Sequence, residues 1–225
     1  MKPILDRFLL RGTVDDVEDV TRRMRRIRIV GESLRGMDWV AGQHVRLRMG
    51  DRGLVLRTYS VWDYDDSGRM DLCVLDHPGT GPGARWSRQV RAGQQVTLTR
   101  PDGRLVLRAD APYHLFVGDE TASVAFGAMI RALPASARVH GVIGVDDLDH
   151  RLALPRADEL TWVSGDTLVP ALQELGLPDG PGAAYVAGEA RACQAVRRHL
   201  THERGWPRGA VVVKPFWAPG KRGMD

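Results

Sequence analysis

The sequence is poor in cysteine and has no long apolar run. Its 225 residues include two cysteines, Cys73 and Cys193, and neither lies in a Cys-x-x-Cys pair or beside a His/Cys cluster. A disulfide framework, a structural zinc site and an iron–sulfur cluster therefore lack ligands. No stretch approaches the roughly 20 apolar residues that span a bilayer. The N-terminal segment lacks the continuous apolar core of a signal peptide, so we expect a cytoplasmic protein that does not enter a membrane.

Lysine is also scarce, although the chain is basic. Of 32 basic residues only Lys2, Lys214 and Lys221 are lysines, and the formal net charge is +4. This mild excess suits a small anionic ligand at least as well as a nucleic acid, and a general preference for arginine explains it equally well. Hydrophobic residues at 43% and charged residues at 27% are typical of an ordinary globular protein.

The first half of the chain has the pattern of antiparallel strands. Bulky apolar residues alternate with polar or basic ones, and Gly or Asp separates the runs. Short strands at this spacing predict a small barrel or sandwich. The predicted strands are 24–31, 42–50, 54–62, 70–77 and 94–100.

The pattern changes near residue 109, where short apolar runs begin to alternate with helical segments. This alternation predicts βαβ units and a mostly parallel sheet. We therefore predict a β-barrel domain over 1–108 followed by an α/β nucleotide-binding-like domain over 109–225. Strands are predicted at 113–118, 137–145, 160–164, 183–188 and 210–217, and helices at 121–133, 168–176 (closed by Gly176) and 189–205.

The segment Arg57-Thr58-Tyr59-Ser60 ends a predicted barrel strand. In a strand, Arg57 and Tyr59 share one face while Thr58 and Ser60 share the other. An arginine fork pairs with phosphate oxygens, and a tyrosine ring can lie against a flat heterocycle. The set suits a flavin dinucleotide, although an ordinary strand with one exposed arginine also explains it.

Three further segments fall at strand-to-helix turns. The run His77-Pro78-Gly79-Thr80-Gly81-Pro82-Gly83-Ala84-Arg85-Trp86-Ser87 precedes a helix-like stretch, and a glycine-rich turn there can present backbone N–H groups to an anion. Val117-Gly118-Asp119-Glu120-Thr121-Ala122 takes the place of a nucleotide-binding turn, but it is acidic, so Asp119 can instead be an N-cap. Tyr185-Val186-Ala187-Gly188-Glu189-Ala190 can flank a nicotinamide, or Glu189 can favour its helix's N-terminus.

In this order and spacing, the segments resemble the siderophore-interacting protein family, FAD-dependent ferric-siderophore reductases within the ferredoxin–NADP reductase superfamily. The resemblance rests on GQHVRLRM, RTYS, VLDHPGTGPGARWS, VGDETA, TWVSGD, AAYVAGEA and VRRHLTHERGWPRGAVVVKPFW. It implies an enzyme that passes electrons from NADPH or NADH through FAD to a ferric siderophore. It leaves ferredoxin open as a partner and predicts a monomer that binds no nucleic acid.

The resemblance also implies residue roles. Tyr59 would stack on the flavin and Ser60 would bond near its N5 atom, which makes these two the catalytic residues. Arg46, Lys214 and Lys221 would form a basic rim for the anionic substrate. The cofactor-binding residues would be Arg57, Thr58, Tyr59, Ser60, His77, Gly81, Gly83, Ala84, Trp86, Asp119, Glu120, Thr121, Gly188, Glu189 and Trp217.

Four positions depart from the family's usual pattern: Trp62, Gly83, Ser123 and Ala218. They keep two alternatives open. The chain can be a divergent FAD-dependent enzyme of secondary metabolism on the same scaffold, or a non-catalytic ligand-binding module.

Overall fold

The structure, a computed structural model, contains one closed barrel and one parallel sheet. It describes residues 9–50, 55–77, 79–164 and 167–221. By the density of its contacts the chain divides into two units, Met1–Gly103 and Arg104–Asp225. Three parts of the segments discussed above lie outside the described residues: residue 54 of a predicted strand, Pro78 of the glycine-rich turn, and Gly165–Asp166 of TWVSGD. The fold class predicted from the sequence, a barrel followed by an α/β domain, is confirmed.

Six antiparallel strands close the barrel in the order β1-β2-β5-β4-β3-β6. Neighbouring residues of a strand lie on opposite faces. The arginines between the apolar residues face outward, and the apolar residues are buried in the barrel core: Ile27, Ile29, Val45 and Leu47. The strands are β1 (Leu10–Thr21), β2 (Met24–Val30), β3 (His44–Met49), β4 (Val55–Asp65), β5 (Arg69–Leu75) and β6 (Gln95–Leu98).

Strand β1 was not predicted from the sequence. Its acidic run, Asp15–Asp19, hides the apolar alternation, but Leu10 and Val14 are buried in the barrel core. The acidic side chains pair instead with arginines of β2, for example Asp19 Oδ1 with Arg25 Nε at 2.9 Å. The strand is therefore stabilised on its outer face by charge and on its inner face by burial.

Among the described residues of the barrel unit there is one α-helix, α1 (Pro82–Gln89), which follows β5. It begins after Gly81 with proline at its first position, where the missing N–H costs no hydrogen bond. Gly83, Ala84 and Ser87 form its buried face. The small side chains let this helix lie close to the strands beneath it.

The second unit is a five-stranded sheet in the order β11-β10-β7-β8-β9, and every pairing among the described strands is parallel. The chain runs from β7 outward through β8 to β9 and then returns to the other side of β7 with β10. The strand order therefore reverses between β7 and β10, and the carboxyl ends of these strands are where ligands bind in open α/β sheets. The strands are β7 (His114–Asp119), β8 (Val139–Val145), β9 (Leu160–Ser164), β10 (Ala183–Glu189) and β11 (Val211–Trp217).

Three helices pack on this sheet: α2 (Ser123–Ala132), α3 (Leu168–Glu174) and α4 (Ala190–Arg198). Helix α3 was predicted to be closed by Gly176. It ends at Glu174 and its C-cap is Leu175, so Gly176 follows the cap. The long helix predicted over 189–205 is α4 followed by a π-helical turn over His199–Glu203. Among the described residues, no helix has both the length and the apolar character needed to cross a membrane.

Candidate functional site

The strand register places Arg57 and Tyr59 on the same face of β4. They stand opposite Leu47 and Val45, both fully buried, and directly opposed residues share a face. Tyr59 packs against the barrel core. Thr58 and Ser60 point to the other face of β4, and Thr58 lies opposite Arg46.

Gly83 brings α1 into contact with this pair. A Cβ atom at residue 83 would lie 2.8 Å from Tyr59 Oη and 3.3 Å from Arg57 Cγ. Any larger residue would therefore push the helix away from both side chains. The glycine permits this close approach, which sets the aliphatic part of the Arg57 side chain against the first turn of α1.

The N-terminus of α1 has no side-chain cap. Its N-cap is Gly81, which makes no capping bond and has open space around it. The first N–H groups of a helix lack intrahelical partners and carry partial positive charge. Arg57 adds a full charge: its Nη1 donates to Leu56 O at 2.7 Å, and no carboxylate of the described residues pairs with it. The arrangement suits an anion.

Tyr59 and Trp86 are in ring contact, with centroids 5.6 Å apart and planes at 44°. Burial raises the pKa of the Tyr59 phenol above its ordinary value. The hydroxyl is therefore neutral throughout the physiological range, and the residue offers an aromatic surface and an uncharged hydrogen-bonding group.

Arg88 holds the connection between β5 and α1, a role that the sequence did not indicate. Its Nε donates to Asp76 Oδ1 at 2.6 Å, its Nη1 donates to Gly79 O at 3.2 Å, and its Nη2 donates to the His77 carbonyl. The His77 ring itself is exposed and its Nδ1 accepts from the Gly79 N–H at 3.1 Å. One arginine on the last turn of α1 thus fixes the backbone of the predicted phosphate turn.

A second cluster lies at the carboxyl ends of β7, β10 and β11. Asp119 Oδ1 accepts from the Thr121 N–H at 2.9 Å. Its Oδ2 accepts from the Glu189 N–H and from Trp217 Nε1, both at 2.8 Å. Gly188 lies against the same carboxylate. The structure therefore brings four of the predicted residues together around Asp119.

Of the two acidic residues of this edge, Glu189 has one of the roles considered from the sequence and Asp119 does not. Asp119 is not the N-cap of α2, because that position is Ala122 and no side chain caps the helix. Glu189 is the N-cap of α4, with its Oε2 accepting from the Ala192 N–H at 2.7 Å. Its Oε1 is buried and has no hydrogen-bond partner among the described residues.

The predicted basic residues are more dispersed. Arg46 is half-buried in β3, and its Nε is buried with no hydrogen-bond partner in the part of the chain that the structure describes. Lys214 stands opposite Ala187 in the register of β11 with β10, while Lys221 is exposed beyond β11. The geometry within each unit does not assign these three residues to one surface.

Comparisons with known proteins identify the family. A model of the siderophore-interacting protein family matches residues 111–220, and a model of the siderophore-interacting FAD-binding domain matches residues 48–105. The chain belongs to the siderophore-interacting protein family. It is 27% identical over 234 residues to the ferric vibriobactin reductase ViuB of Vibrio cholerae, covering 90% of this chain and 86% of the relative.

Solved structures of this family share the fold. A siderophore utilization protein from T. fusca superposes with a TM-score of 0.83 at 26% identity, covering 96% of this chain and 95% of the other. The siderophore-interacting protein SipS from Aeromonas hydrophila superposes with a TM-score of 0.81 at 25% identity, covering 95% of this chain and 93% of the other. Phthalate dioxygenase reductase superposes with a TM-score of 0.76 at 16% identity, covering 96% of this chain and 71% of the other, and shares the fold alone.

The residues present fit FAD. The cofactor's pyrophosphate requires an anion site. The uncapped N-terminus of α1 and Arg57, which pairs with no carboxylate of the described residues, fit that requirement. Both lie within the segment that matches the FAD-binding domain. The close contact of Gly83 with Arg57 and Tyr59 is the observation that joins these parts into one cradle.

Proposed function

We propose that the protein is an FAD-dependent reductase that passes electrons from NAD(P)H to a ferric siderophore and releases Fe(II). The observation that carries this proposal is the cradle formed by Arg57, Tyr59 and Gly83 within a siderophore-interacting FAD-binding domain. A homologue that aligns over most of the chain is a ferric vibriobactin reductase.

Bound FAD supplies the conversion between a two-electron donor and a one-electron metal acceptor. The chain's part is to bind and orient. Arg57 and the first N–H groups of α1 hold the pyrophosphate, and Arg88 keeps the turn before α1 in place. Ser60 follows Tyr59 in β4 and is half-buried, and its hydroxyl would donate to a nitrogen of the flavin ring.

The substrate side is proposed on charge. Ferric siderophores that are anionic would be attracted by Arg46, Lys214 and Lys221. Arg46 has the strongest support. Its Nε is buried and finds no partner among residues 9–50, 55–77, 79–164 and 167–221, and it lies opposite Thr58, the residue between Arg57 and Tyr59. Attraction of this kind weakens as ionic strength rises.

The deciding experiment is spectroscopic and then kinetic. The purified protein should show the visible absorption of an oxidised flavin, or acquire it when FAD is added, and NAD(P)H should bleach it. With a ferric siderophore and a ferrous chelator present, the loaded protein should accelerate Fe(II) capture. Flavin binding without faster Fe(II) capture across several siderophores would point to a different FAD enzyme. A protein that retains no flavin absorption once free FAD is removed would point to a binding module.

We further propose that the protein works as a monomer in the cytoplasm, where NAD(P)H is available and the buried thiols of Cys73 and Cys193 stay reduced. Sedimentation of the loaded protein tests the first point. Replacement of NAD(P)H by reduced ferredoxin in the same assay tests whether a protein donor serves better.

A further inference from the structure

Trp217 is held by a hydrogen bond that crosses a strand. It is the last residue of β11, and 43% of its surface is exposed. Its indole N–H donates to Asp119 Oδ2, at the end of β7, at 2.8 Å. Since β10 lies between β11 and β7, this bond passes over the carboxyl end of β10. It fixes a half-exposed aromatic ring at the point where the strand order reverses.

Gly188 makes that bond possible. The residue has φ of +116°, and a Cβ there would lie 2.6 Å from Asp119 Oδ2. The space beside β10 that a side chain would fill is taken by the Asp119 carboxylate. Two segments 70 residues apart in sequence therefore meet to build one contact.

The carboxylate of Asp119 accepts four hydrogen bonds. Oδ1 accepts from the N–H and the hydroxyl of Thr121, and Oδ2 accepts from the N–H of Glu189 and the indole of Trp217. An ionised carboxylate is the side chain that only accepts. An asparagine in its place would turn an N–H₂ group toward donors on one side, so the network depends on the charge as well as on the shape.

We propose that Asp119 is a positioning residue that fixes the indole of Trp217 and, through this ring, the productive binding of the electron donor. The proposal rests on the proposed reductase function. It accounts for an acidic residue at a turn where a phosphate-binding loop is expected: the carboxylate binds the chain's own donors. The exposed part of the ring remains available to a planar ligand.

The first test needs no cofactor. In ¹H–¹⁵N spectra of the apoprotein, the indole resonance of Trp217 is assigned by its loss in Trp217→Phe. Asp119→Asn should shift that resonance and speed its hydrogen exchange. Asp147→Asn is the matched control, because Asp147 also accepts from the N–H two residues on, at the end of β8, and is not bonded to Trp217. An unchanged indole resonance in Asp119→Asn would overturn the proposal even if the flavin experiment succeeds.

The second test is a double-mutant cycle on the FAD-loaded protein. Asp119→Asn and Trp217→Phe should each lower kcat/KM for NAD(P)H about tenfold, since small displacements of positioning groups have large kinetic effects. The double variant should lose little more than the worse single one, because both act through the same ring. Additive losses, or a lower Tm for Asp119→Asn with unchanged kcat/KM, would show a structural role alone and would refute the positioning role.

Discussion

Arg57 is the residue on which cofactor binding depends most directly. Its guanidinium has no carboxylate partner among the described residues, and the aliphatic part of its side chain packs against Gly83 in the first turn of α1. Hydrogen bonds to charged groups contribute about 1.5–3 kcal/mol, so Arg57→Ala should raise the Kd for FAD roughly 10- to 100-fold. Titration followed by flavin fluorescence measures this. Arg35→Ala, at a side chain that is 60% exposed, is the control, and an equal Kd in the two variants would contradict the assignment.

Gly188 is the residue on which the second cluster depends. Gly188→Ala places a methyl group against the Asp119 carboxylate and forces alanine into a positive φ. Strain of this kind costs about 1–3 kcal/mol, so Tm should fall and the Trp217 indole resonance should shift. Gly176→Ala is a matched control, because a Cβ at residue 176 meets nothing within 4 Å. A Gly188→Ala protein as stable as Gly176→Ala would mean that the carboxylate lies elsewhere.

Residue identities in the sequence indicated both clusters, but not their internal bonds. RTYS and the glycine-rich turn were recognisable because the chemistry of a phosphate and a flat ring restricts the residue types. The bond from Trp217 to Asp119 joins positions 98 residues apart. No local spacing carries that information, so only the strand order could reveal it.

At the scale of elements, periodicity predicted the strands wherever one face is apolar and the other is basic. It missed β1, whose outer face is acidic and whose stability comes from pairing with the arginines of β2. It also missed the π-helical turn after α4, where the Arg204 Nε donates to His199 Nε2 at 3.1 Å. Interactions between elements decide both cases, and a local pattern does not contain them.

The connection between β5 and α1 gives a prediction at this scale. Arg88→Ala removes the bonds that hold Asp76, His77 and Gly79 to the helix. The turn should then sample more conformations, and the Kd for FAD should rise about tenfold, equivalent to about 1.4 kcal/mol. The control is Arg91→Ala, whose guanidinium donates to the carbonyls of Arg88 and Val90 at the far end of α1. If both variants bind FAD as the unaltered protein does, Arg88 has no part in shaping the site.

At the scale of the whole molecule, the pH dependence of stability should show two windows. Burial lowers the pKa of His114 and of His140, and the nearby Arg156 lowers that of His114 further. The unfolded chain therefore binds protons more readily than the folded one as pH falls below about 6.5. Stability is lost from that point downward. A second loss follows in acid, because the bond from Arg156 holds the pKa of Glu159 below its ordinary value.

Urea unfolding at pH 7.5, 6.5 and 5.5 tests the first window. The free energy of unfolding should fall over this range, and His114→Gln should flatten the fall because its side chain does not titrate. The basic composition of the chain, with a pI near 9.4, also lowers stability as positive charge accumulates, so the variant is needed to separate the two causes. His202→Gln, at an exposed position, removes the same ring without burial and should keep the slope of the unaltered protein. Equal slopes in all three proteins would show that the His114 imidazole does not contribute, and would leave the effect to net charge and to His140.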